Sequence, residues 1–117
     1  MLSCARSAAA RSASALKRNE LYLSPISIWE LLILVEKGRV VLETDVDTWL
    51  DRAQRAAPLT ELPVTNAIAR ESRAVELPHQ DPADRFLAAT ARVMELQLVT
   101  ADRRLIASKG VPTLPRV

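Results

Sequence analysis

Cys4 is the only cysteine in this 117-residue chain. An internal disulfide and a cysteine-built zinc site are therefore excluded, and a reducing, cytoplasmic compartment is the natural expectation. Aromatic residues make up only 3%, which favours helices and thin packing layers over a large aromatic core. No long hydrophobic run occurs: the longest, Leu31 to Val35, falls far short of the ~20 residues a membrane span needs. Neither sign of charge prevails, with 16 basic and 14 acidic residues and a net charge of +2. That balance does not by itself identify a nucleic-acid partner. Internal repeats and low-complexity linkers are also absent.

What is present is an apolar fraction of 49%, rich in alanine and leucine, enough for one domain spanning 1–117 with a modest core. Residues 1–19 carry Arg6, Arg11, Lys17 and Arg18, four serines and no acid. An organellar transit peptide has this composition, and so does an ordinary alanine-rich helix with Ala9, Ala13 and Leu16 on one face. The helix is the expected form, over about 4–17.

Further along, strands alternate with helices. Leu21–Leu23 reads as a strand. Ser27 then reads as a helix N-cap with Glu30 three residues on, a capping box, and that helix stops at Gly38. Asp47 is expected to cap a helix over about 48–56, and 59–64 to form a strand. Thr65 is expected to cap a helix running to about Val75. Asp81-Pro82 is a strong helix start, with a cap followed by proline at the first helical position. The helix over 82–95 should turn Phe86, Leu87, Ala89, Val93 and Met94 inward. Leu96 to Thr100 reads as a buried strand, Asp102 as the start of a short helix, and Val111 to Leu114 as a final strand. The pattern predicts an α/β fold with a mostly parallel sheet flanked by helices.

Acids recur at helix starts that follow strands. Each has a structural explanation as a cap or a first-turn acid. Taken together they support a second reading. Segments beyond the carboxyl ends of strands in an open α/β sheet line one crevice. Glu30, Asp84 and Asp102 would meet there and repel one another unless a cation neutralised them. Hard divalent ions such as Mg²⁺ or Mn²⁺ take oxygen ligands, and the chemistry implied is metal-assisted phosphodiester hydrolysis. Arg85, Arg103 and Arg104 lie beside these acids, either as RNA phosphate contacts or as solvated surface. His79 reads as an exposed loop residue, and Trp29 and Trp49 as packing residues.

Ser27-Ile-Trp-Glu30, the block His79-Gln-Asp-Pro-Ala-Asp-Arg-Phe-Leu-Ala-Ala-Thr90 and Leu98-Val-Thr-Ala-Asp102 together resemble the PIN-domain ribonucleases, and most of all the VapC toxins of bacterial toxin–antitoxin pairs. The resemblance implies a three-layer PIN-like fold and an endoribonuclease. It implies Glu30, Asp84 and Asp102 as metal ligands for Mg²⁺ or Mn²⁺, with Asp81 and Thr100 in support. RNA as substrate, a VapB-like antitoxin and a homodimer follow from the same resemblance.

The sequence departs from the family at one point. The family's first strand, central in the sheet, ends in a further aspartate, within a motif such as Leu-Asp-Thr-His. No acid precedes Glu20 here. The resemblance therefore implies a missing central strand, with that segment expected upstream of Met1. It leaves open a catalytically inactive module that only binds antitoxin, and a generic α/β domain whose acids are caps.

Overall fold

The computed structural model describes residues 4–7, 21–57, 59–78, 80–100, 105, 107, 110 and 113–114. Strand β1 (Cys4–Ser7) is followed by β2 (Leu21–Leu23), α1 (Pro25–Glu36), α2 (Val46–Ala56) and β3 (Thr60–Glu61). Then come α3 (Asn66–Ala74), α4 (Pro82–Val93), β4 (Leu96–Val99) and β5 (Thr113–Leu114). The sheet order is β3-β2-β1-β4-β5. β1 is antiparallel to both β2 and β4, with Cys4 opposite Leu23 on one side and Val99 on the other. β3 is parallel to β2, and β5 to β4. Four strands thus point one way and the central one opposes them, so the α/β expectation holds with one reversal.

Two expectations about the first residues are corrected. Cys4–Ser7 is strand, not helix, and it fills the central position expected to be vacant. The reason is non-local. Without a strand there, β2 and β4 would each present an unpaired row of backbone groups beside an apolar interior. Satisfying both rows outweighs alanine's helix preference, which is a weak prior of tenths of a kcal/mol per residue.

The helix starts follow from side-chain caps. Ser24 accepts from the Ile26 amide at 3.1 Å and is followed by Pro25. Asp45 accepts from the Thr48 amide at 3.0 Å and from its hydroxyl at 2.8 Å. Those bonds hold the Asp45 carboxyl below its ordinary value of 3.8. Thr65 accepts from Ile68 at 3.2 Å and Asp81 from Asp84 at 3.2 Å. Ser24 and Asp45 take the places assigned by sequence to Ser27 and Asp47. Ser27 is instead wholly buried inside α1. Beyond α1, Gly38 adopts φ 70, a left-handed turn that glycine makes without strain.

The core lies between α4, β4 and their neighbours. Val75, Leu87, Ala88, Ala91, Leu98 and Leu105 form one buried cluster, with Ile26 and Leu77 packed against it. Helix α4 packs on α3, α1 and β4 together, and its alanines permit that close approach. The inward assignment of Val93 and Met94 is corrected: they are 36% and 40% exposed. Val93 lies two turns from half-buried Phe86 on the flank of the helix, and Met94 has already left the helix as its C-cap. Trp29, expected to pack, is 47% exposed on α1.

Candidate active site

Because β2 and β4 both oppose β1, their carboxyl ends share one edge of the sheet. β2 passes through Ser24 directly into α1, so the start of α1 stands at that edge. α4 reaches β4 through the turn at Met94–Glu95 and therefore runs back along it. A 12-residue helix spans roughly 18 Å and a 4-residue strand roughly 13 Å. The start of α4 accordingly overhangs the carboxyl end of β4. Topology alone brings the first turns of α1 and α4 to one crevice.

Three carboxylates meet there. Ligand atoms of Glu30, Asp81 and Asp84 all lie within 4.8 Å of one another. Glu30 and Asp84 are half-buried and Asp81 is exposed, so the group opens to solvent. Asp81 is the α4 cap and Asp84 sits in its first turn, where the unsatisfied amides and the helix dipole favour negative charge. Glu30 is different. With Ser24 as the cap, it falls in the second turn of α1, which has no acid in its first turn. The capping box read from Ser27 to Glu30 does not form, so helix capping does not account for this acid.

The donor chemistry fits a small divalent ion. Oxygen ligands on opposite sides of one Mg²⁺ stand roughly 4.2 Å apart, at 2.0–2.1 Å each from the metal. A group spanning 4.8 Å closes onto such an ion through small carboxylate rotations. The partial exposure leaves room for water and for a phosphate oxygen.

Of the other site residues read from the sequence, Thr100 is buried immediately after β4, at the same edge. Asp102, Arg103, Arg104 and His79 lie outside the described residues. The expectation that Arg85 contacts RNA is corrected. It is 6% exposed, and its guanidinium is turned inward. Nε donates to the Ser72 carbonyl at 2.7 Å, and Nη2 to those of Val75 at 2.9 Å and Arg73 at 3.2 Å. It is spent on the free carbonyls at the end of α3, with no face left for a phosphate. Its position four residues after a cap signalled an inward stem, one turn after the cap on the face that packs against α3.

A cavity of about 320 Å³ opens beside the start of α1, lined by Leu23, Pro25, Ile28, Leu50, Leu59 and Glu61 among others. It shares the sheet edge but contains none of the three clustered acids. Sequence reasoning had no signal for it, since it arises where α2 leans over β2 and β3.

Comparison with known proteins agrees with this arrangement. The PIN domain family matches residues 2–110. Ribonuclease VapC22 of Mycobacterium tuberculosis (strain ATCC 25618 / H37Rv) is 40% identical over 90 residues. That match covers 74% of this chain and 66% of the relative, just under two thirds of its length. No solved structure matches the chain. With a family match across nearly its whole length and the acids gathered at the carboxyl edge of its sheet, the chain belongs to the PIN-domain family.

Proposed function

We propose that this chain is a metal-dependent endoribonuclease toxin of the VapC type, hydrolysing RNA phosphodiester bonds and neutralised by a VapB-like antitoxin. The observation that carries the proposal is the convergence of Glu30, Asp81 and Asp84 from two helices with α2, β3 and α3 between them in the chain. Similarity to a ribonuclease supports the substrate class.

In this reading Glu30, Asp81 and Asp84 hold Mg²⁺ or Mn²⁺, and Asp102 joins them from beyond β4. The ion, when bound, neutralises phosphate charge and makes water a stronger nucleophile near neutral pH. The half-buried carboxylates Glu30 and Asp84 can accept a proton from attacking water, and Thr100, buried just after β4, supports the site. The first turn of α4 supplies positive dipole density toward the phosphate. Arg103 and Arg104 contact the RNA backbone. The apolar character of α1, where Leu32, Ile33, Leu34 and Val35 remain half-buried, suits a covering antitoxin helix or a second subunit in a homodimer. The protein acts in the cytoplasm, where its RNA substrates are; among the described residues no helix is long and apolar enough to cross a membrane.

The test is cleavage of total RNA in Mg²⁺ by wild type and by Asp84→Asn, with circular dichroism to confirm that both fold. Loss of one group that stabilises developing charge costs about two orders of magnitude or more in rate. A variant that still cuts at the wild-type rate overturns the assignment. A folded wild type that captures antitoxin but cuts no RNA in either Mg²⁺ or Mn²⁺ would instead establish the inactive binding module.

A further inference from the structure

We infer that Arg85 is a positioning residue for the carboxylate cluster, acting through the first turn of α4; this rests on the metal-site reading above. The first observation is its place in the chain. Arg85 follows Asp84 directly, in the turn capped by Asp81. Whatever fixes the Arg85 backbone fixes both acids.

The second observation is what holds it. Three carbonyls, of Ser72, Arg73 and Val75, receive its N–H groups at 2.7, 3.2 and 2.9 Å. All three belong to the last turn of α3 and its C-cap Val75. The last carbonyls of a helix have no partner within it, and they form the negative end of its dipole. A planar guanidinium spreads its donors in a fixed fork across several of them, whereas an ammonium offers its three donors from a single point. The side chain is 6% exposed, so these bonds are shielded from competing water. Arg85 thereby ties the end of α3 to the start of α4.

The third observation concerns Glu30, which reaches the cluster from a different helix. α1 packs against α4, and its Ile26 touches the core formed by Val75, Leu87 and Ala88. Val75 is both the carbonyl that Arg85 binds and a member of that core. One residue thus ties the α3 end to the two acids of α4 and to the packing that sets α1. A rotation of the α4 start would carry Asp81 and Asp84 together away from Glu30, which belongs to another helix.

The experiment is Mn²⁺ binding to the full chain, by calorimetry and by loss of the free Mn²⁺ electron paramagnetic resonance signal, well below the unfolding temperature. Arg85→Lys keeps the charge and loses the fork; Arg85→Gln keeps amide donors and removes the buried charge, in case the lysine variant does not fold. Either folded variant should bind Mn²⁺ about ten-fold more weakly, the size expected when a group that orients metal ligands is lost. Ile68→Val, in the fully buried side of α3, should lower stability and leave Mn²⁺ affinity unchanged. In wild type, Mn²⁺ should also slow amide exchange at Val75 and Glu76, since the coupling is reciprocal. Wild-type affinity in a folded Arg85 variant, equal weakening by Ile68→Val, or unaltered exchange at Val75 and Glu76 overturns the inference alone. A wild type that binds no Mn²⁺ overturns the metal-site reading, and this inference with it.

Discussion

Glu95 occupies the left-handed region at φ 54, the only positive-φ residue besides Gly38 among the described residues. It makes the sharp reversal from α4 into β4, and every degree of that turn sets how far the α4 start overhangs the strand. A side chain with a Cβ is strained there by roughly 1 kcal/mol or more. Glu95→Gly should therefore keep stability or raise it by up to about 1 kcal/mol in urea unfolding; a clear loss would show a compensating contact made by the Glu95 side chain. The turn was not legible in the sequence, because Met-Glu-Leu carries no glycine or asparagine to mark it. The acids fared differently. Asp81 and Asp84 were legible because cap and first-turn positions are local. Arg85 was misread because adjacency along the chain suggested a shared surface, whereas a helix turns neighbouring residues to different faces.

Among the elements, the helix starts show where local chemistry suffices. Asp81-Pro82 was read correctly, yet Ser24-Pro25 uses the same device. It was passed over because proline after Leu-Tyr-Leu-Ser reads equally well as a break in a strand. Apart from β1, the strands were legible as apolar runs, but length was not: β3 is reduced to Thr60–Glu61, since β2 ends at Leu23, opposite Glu61. Helix α3 is amphipathic and packs on α4, and its Ile68 has no exposed surface. Ile68→Ala should cost about 2–5 kcal/mol in urea unfolding. A loss under 1 kcal/mol would mean that α3 is loosely held, and would weaken the idea that its C-terminal carbonyls anchor anything.

For the molecule as a whole, the order of the strands mattered more than their sequence. Leu21–Leu23 and Leu96–Val99 were each recognisable, but the strand between them was hidden in alanine-rich sequence whose local preference is helical. Only the demand of two open edges reveals it. If the clustered acids hold a divalent ion, the folded state gains free energy that the unfolded chain does not. At a hundred-fold excess over the dissociation constant that gain is about 2.7 kcal/mol. Saturating Mg²⁺ or Mn²⁺ should raise the melting temperature by several degrees, and a chelator should reverse it. A melting curve indifferent to both would favour acids whose roles are structural alone.

The central strand has a consequence for the order of events in synthesis. Cys4 is held opposite Val99, so the middle of the sheet joins the earliest described residues to some of the latest. Contacts so distant along the chain slow folding, because the loop must close before any reward is collected. On a ribosome, α1 can coil as soon as it emerges, but Glu30 must wait for Asp81 and Asp84. A chain made only as far as α3 therefore holds no completed cluster, and whatever chemistry these acids perform is withheld until α4 has been made.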